Sequence, residues 1–354
     1  MRVVRLRRND RQSEVVAVTG AADGLGRALL ERLAGRGDLA GLVGLDAAPG
    51  RLDGVVWRVA DVQDPLLATS LTGATTVVHL ATSYDVALAA PTRRALNVRG
   101  TARVLEAARE AGARRVVLCT SADVYGVNPE NPVPLRDATT LAAEADEKAL
   151  VGDHVEVERL ASHAARAGLP VTVLRPATLI GLGPAYDGQV LRQLSAPRLL
   201  AVRGIEPLWQ LCHVDDLLAA LELAVTGAVD GGLGVACDGA LRQGVVEELT
   251  GRRRLELPAA VALATAERLH RAGLTSSSPR ELDRLLGPLV LACDGLREAG
   301  WTPSWTNADA LLAHVSSRPA ESGRGGAVTA AGATVALLGT AALVRQARRR
   351  RRGL

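Results

Sequence analysis

The 354-residue chain is 48% hydrophobic and 23% charged, which excludes a disordered or fibrous protein and allows a large core. It has no phenylalanine, and aromatics make up 2%, so that core has to be built from Val, Leu and Ala. The net charge of +4 comes from the ends: residues 1–14 carry five Arg against Asp10 and Glu14 (+3), and 345–354 carry six Arg (+6), leaving 4 − 3 − 6 = −5 for the body. A mildly acidic body excludes specific nucleic-acid binding as the main role.

Short β-rich runs begin at Val15–Thr19 and recur at Leu42–Asp46, Val55–Asp61, Thr76–Ala81, Arg115–Ser121 and Val171–Arg175. Between them lie amphipathic stretches that predict helices over Leu25–Ala34, Pro91–Ala111 and Ala142–Ala167. Apolar strands alternating with helices predict an α/β fold, a doubly wound parallel sheet covered on both faces. Beyond residue 177 glycine and proline interrupt the pattern, and helices over Val214–Thr226 and Leu257–Ala272 suggest a smaller lobe. The expected organisation is a basic extension (1–14), a dinucleotide-binding domain (15–176), a substrate lobe (177–316), a linker (317–326), an apolar segment (327–344) and an Arg-rich tail (345–354).

Four cysteines, Cys119, Cys212, Cys237 and Cys293, have neither paired nor metal-ligand spacing. They read as reduced core residues of a cytoplasmic protein, and no metal site is expected. No apolar stretch follows the charged N-terminus, so a secretory signal is not expected.

The segment VVAVTGAADGLGRALLERL is strand, glycine turn and helix. Gly20 allows the tight turn, while Gly24 and Gly26 let the backbone approach a pyrophosphate at the helix N-terminus. Asp46 ends the next strand twenty residues after Gly26, where a carboxylate can bond an unphosphorylated ribose. The nearest arginine is Arg51, so NAD is favoured over NADP.

With these features and five further motifs the chain resembles the extended short-chain dehydrogenases/reductases, the NAD-dependent epimerase/dehydratases, over about residues 14–315. The motifs are ADVQDP at 60–65, VVHLAT at 77–82, NVRGTARVLEAAREAGARRVVLCTSADVYG at 97–126 and VTVLRPATLIGLGP at 171–184, with HVDDLLAALELA at 213–224 in the second lobe. The resemblance implies a cofactor site that adds Asp61, Val62, Leu80, Ala81, Asn97 and Pro176 to the three glycines and Asp46. It implies a small-molecule substrate, a nucleotide sugar or similar alcohol, touched by Ser121, and it leaves a homodimer open as a partner. The chain looks most like a divergent actinobacterial epimerase-like group.

The departures are local. The family pattern T-G-x-x-G-x-x-G is broken by Asp23, which would repel a pyrophosphate unless it turns outward. Family members use a Ser or Thr with a Tyr-x-x-x-Lys pair, in which the lysine lowers the tyrosine pKa. No such pair exists here: the lone lysine, Lys148, follows Glu144 by four residues, and Tyr84, Tyr125 and Tyr186 precede Leu88, Pro129 and Val190. Matching Glu158 to the glutamate after the family lysine puts His154 at the lysine and Leu150 at the tyrosine. His154 is read as solvent-facing, with a ribose contact as the alternative, and Asp153, Glu156 and Glu158 as a charged helix face. Ser121 is the catalytic candidate, with Asp123, Asp153 and His154 as substitutes for the missing acid/base. Where the family carries a diphosphate-binding arginine, the chain has Gln210, so Arg203 is the alternative cation. Trp209 is read equally as a stacking platform or as core, and His213 as a capping residue.

The features support two functions: an oxidoreductase with a replaced acid/base, and a catalytically silent dinucleotide-binding sensor or assembly factor.

The uncharged run Ala327–Val344 has 18 residues and as a helix would reach about 27 Å, against a hydrocarbon core of about 30 Å. Two readings follow, a cytoplasmic-membrane anchor and a surface-lying tail. Fractionating cells that express the full chain and a 1–326 truncation separates them: an anchor puts only the full chain in the membrane pellet, and two soluble proteins contradict it.

Overall fold

In the computed structural model, residues 14–317 are described, apart from 86–87, 184–185, 187–189, 192–193, 195–197 and 273–283. Residues 318–326 of the expected linker and the segments at 327–344 and 345–354 lie outside the described residues, as do residues 1–13 of the basic extension.

Six strands appear where the apolar runs predict them: β1 (Val15–Thr19), β2 (Gly41–Asp46), β3 (Val55–Val59), β4 (Thr76–His79), β5 (Arg115–Cys119) and β6 (Val171–Pro176). They form one parallel sheet in the order β6-β5-β4-β1-β2-β3. A seventh strand, Gly231–Val235, pairs parallel with β6. It comes from the segment assigned to the second lobe, and the helix Val214–Val225 packs on the same core as Gly24–Ala34. The chain therefore crosses the expected boundary at 176 and returns to the sheet.

Buried leucines of Gly24–Ala34 and Val214–Val225 cover one face of the sheet. Thr101–Glu110 and Leu150–Arg166 cover the other with Val104, Leu105, Val157 and Ala161. A third core, with Leu199, Leu200, Trp209, Leu211 and Leu311, fills the second lobe. Val, Leu and Ala supply most of these contacts, as a phenylalanine-free sequence requires. β3 is the edge strand, and its Val56 and Val59 stay exposed.

Two predicted helices change shape. Pro91–Ala111 is divided by a π-helical turn, Ala95–Gly100, which carries Asn97. The helix predicted from residue 142 starts at Leu150, because Ala149 is extended (φ −99°, ψ 147°). A Cβ on Gly152 would lie 1.9 Å from the Asp146 carbonyl oxygen, so 142–149 folds back against the helix start.

Two carboxylates on this helix correct the expected charged face. Asp153 is fully buried and accepts from Arg93 Nε at 2.7 Å and, more weakly, from Arg94 and Asn97. Glu158 takes a two-pronged hydrogen bond from Arg175 at 2.8 Å and 2.8 Å, and one from Thr120 Oγ1 at 2.9 Å. Glu156 alone keeps a partly exposed position, beside Arg159. Burial excludes water from both pairs, so the loss of one partner strands a charge. Arg175→Met is expected to lower unfolding free energy by about 3–5 kcal/mol in urea titrations, and pairing it with Glu158→Leu to recover part of that loss.

Candidate active site

The strand order reverses between β1 and β4, and in such sheets the ligand crevice opens at the carboxyl ends of the strands there. The glycine turn follows β1. Gly20 has φ +68°, and a Cβ on it would lie 2.7 Å from Ala81 N at the end of β4. A Cβ on Gly26 would lie 2.0 Å from Gly20 O, so the helix can start this close to the turn only as glycine. Asp46 faces the turn: its two carboxylate oxygens accept Ala22 N–H at 3.1 Å and Ala48 N–H at 3.2 Å. Asp23, exposed and without a capping bond, turns outward. A dinucleotide fits this cradle of bare backbone at a helix N-terminus with a carboxylate beside it.

The other expected cofactor residues lie around the crevice. Leu80 and Ala81 meet the Gly20 turn. Val62 packs on Gly100 in the π-helical turn. Asn97 in that turn holds the loop after β4 from both sides, accepting Ser83 N–H at 2.8 Å and donating to Ser83 O at 3.0 Å. Asp61 is exposed and bonds Gln63 N–H. Pro176 reaches the neighbouring cavity.

His79 explains part of this rigidity. Thr101 gives its hydroxyl proton to Asn97 O, so it accepts from His79 Nε2 at 3.1 Å, and Thr19 donates to Nδ1 at 2.7 Å. Burial lowers the His79 pKa to about 4, and the ring stays neutral.

A cavity of about 370 Å³ opens at the ends of β5 and β6, and Ser121, Asp123, Leu150, His154 and Arg284 line it. Ser121 caps the short turn Ala122–Tyr125 by accepting Asp123 N–H at 3.0 Å, and it donates to Asp123 Oδ2 at 2.9 Å. Arg284 Nε lies 2.5 Å from Asp123 Oδ1, out of line for a hydrogen bond, so both atoms lack a hydrogen-bond partner. The two side chains are held together as an ion pair at the cavity wall.

His154 is buried, which corrects the solvent-facing reading. Its ring tilts against Tyr84 at 5.5 Å between centroids. Burial pulls its pKa down to about 4, with Arg93 adding to the effect and Asp123 opposing it. A neutral ring cannot supply the positive charge of the family lysine. Leu150 also lines the cavity, so the tyrosine position faces it without a proton. Asp153, consumed by Arg93, drops out as a substitute acid/base.

Trp209 takes the core alternative of its two readings, and Arg203 and Gln210 are placed away from the cavity. Trp209 is buried in the second-lobe core, where its indole N–H donates to Gln243 at 2.8 Å. Arg203 is exposed beside Glu256 at 3.9 Å. The Gln210 amide is used up on the backbone of Cys237 and Leu291. His213 caps its helix by accepting Asp215 N–H, as expected, and stacks on Trp305 at 3.8 Å. The four cysteines are buried free thiols. Among the described residues no His/Cys/Asp/Glu group could hold a metal, and no helix is long and apolar enough to cross a membrane.

Three cavity residues were missed in the sequence. Tyr84 follows the VVHLAT strand, and its hydroxyl points to Thr120 O at 3.2 Å. Tyr186 follows the GLGP turn. Arg284 lies in a stretch without a pattern, and only folding brings it to Asp123.

Residues 16–234 match the model of the NAD dependent epimerase/dehydratase family. The chain belongs to that family. It is 30% identical over 313 residues to an uncharacterized protein of Mycobacterium tuberculosis, covering 84% of this chain and 82% of the relative. It is 33% identical over 235 residues to a 3-diazoavenalumate denitrifying reductase of a Streptomyces species, covering 63% and 76% of the two. Among solved structures, MoeE5 in complex with UDP-glucuronic acid and NAD superposes with a TM-score of 0.62 at 24% identity, over 85% of this chain and 97% of that one. This last likeness carries the fold.

The buried histidines give a pH test. Their folded pKa values lie below the ordinary 6.5, so the unfolded chain takes up protons first as the pH falls. Stability from the neutral rings is complete above about pH 6.5 and declines toward pH 4. Melting curves should show a smaller loss of midpoint temperature between pH 7 and pH 4.5 in His154→Gln than in the wild type.

Proposed function

We propose that the chain is an NAD-dependent oxidoreductase of the epimerase/dehydratase kind, acting on a nucleotide sugar or a similar alcohol or carbonyl compound, with a replaced acid/base. The observation that carries this reading is the cavity beside the glycine cradle, which is lined by Ser121, His154 and the Asp123–Arg284 ion pair. NAD, when bound, supplies the hydride chemistry.

The chain's own residues divide the remaining work. Arg284 is the guanidinium at the cavity and suits an anionic part of the substrate, since the Gln210 amide is already used. Ser121 can turn its hydroxyl from Asp123 to a substrate oxygen. Asp123 and His154 are the expected substitutes that line the cavity and could move a proton, beside Glu144 and the phenols of Tyr84, Tyr125 and Tyr186. The UDP-glucuronic acid held by MoeE5 supports a nucleotide-sugar substrate, and the NAD held there supports that cofactor.

A second reading, a catalytically silent dinucleotide-binding sensor or assembly factor, rests on Leu150 and the neutral His154 at the two family positions. Losing a positioned acid/base lowers rates by about 10²–10⁴-fold.

A panel of UDP- and dTDP-sugars with NAD separates the two. The enzyme reading expects slow turnover that falls about 100-fold in Ser121→Ala, on the scale of one lost transition-state donor. NAD binding without turnover across the panel favours the silent reading.

A further inference from the structure

The first helix offers its N-terminal N–H groups to the phosphates of a dinucleotide, and one of them is already taken. Tyr186, from the second half of the chain, places its hydroxyl oxygen where it accepts Leu25 N–H at 3.2 Å. The same oxygen would lie 2.0 Å from a Cβ on Gly24, so it sits in the space that this glycine leaves open. The ring extends from there against Tyr84, with 5.9 Å between centroids, and it also lines the substrate cavity. Burial raises the pKa of the phenol, which keeps it neutral at physiological pH.

We propose that Tyr186 is an internal competitor for the dinucleotide phosphate site, and that its departure couples cofactor entry to a change in the substrate cavity wall. The hydroxyl and a pyrophosphate oxygen seek the same N–H and the same space above Gly24. Both cannot be present. A neutral phenol brings no charge to the helix dipole, whereas a phosphate does, so the phosphate displaces it. The closed form reduces the apparent affinity for the cofactor by the fraction of molecules in which Tyr186 is in place. Because the ring belongs to both sites, its movement also alters the cavity beside Tyr84 before substrate enters.

This inference rests on the cofactor reading, and the test separates the two. Full-length wild type, Tyr186→Phe and Tyr186→Ala are titrated with NAD by calorimetry, with melting curves to verify that each is folded. The phenylalanine variant keeps the ring and loses the hydroxyl contact, so NAD should bind about fivefold tighter, the equivalent of about one neutral hydrogen bond. The alanine variant should bind at least as tightly as that. Unchanged or weaker binding in folded Tyr186→Phe overturns the competition, since Tyr186 would then be a wall or a contact of the cofactor. No binding to any of the three proteins overturns the cofactor reading and the competition with it.

Discussion

The structure depends on how closely backbone approaches backbone at the end of β1. Gly26 lies against Gly20 O, and Gly20 against the end of β4, at distances that exclude even a methyl group. That contact sets the helix on the strand, points its N-terminal N–H groups into the crevice and brings Asp46 to the rim. The sheet order, with its reversal beside β1, makes the same point the natural ligand site. The cofactor half of the site is therefore a property of the main chain, which side-chain drift elsewhere leaves intact.

The proton-transfer half depends on side chains of one helix. We propose that Leu150 and His154 stand where the family places a phenol and an ammonium, and burial keeps the histidine uncharged. The same helix is fixed by buried ion pairs. Asp153 is tied to Arg93 and Glu158 to Arg175, so the helix is held more firmly than its charged sequence suggests. The cavity holds Ser121 and the Asp123–Arg284 contact, and Tyr84 and Tyr186 bring phenols to it.

Six of the seven strands of the main sheet were legible to within about two residues because an apolar run between turn residues is a local signal, whereas Gly231–Val235, with three glycines, was not. Ser121 and the glycines were legible because their roles are set by neighbours in sequence. What was hidden depends on partners far along the chain. Residues 142–149 are rich in Ala and Glu, good helix formers, yet the packing of Gly152 against Asp146 overrides that preference. Asp153 and Glu158 looked solvated because Arg93 lies 60 residues before one of them and Arg175 lies 17 after the other. Trp209 gave no sign of its choice between core and ligand until Gln243 was placed beside its indole.

We propose that a working dinucleotide site survives beside an altered proton-transfer site. Parallel calorimetric titrations of the purified full chain with NAD and NADP test it most directly. One saturable site per chain is expected, with NAD bound more tightly than NADP, because the Asp46 carboxylate at the rim of the crevice would repel a 2′-phosphate. Failure of both dinucleotides to bind, or a preference for NADP, would contradict it.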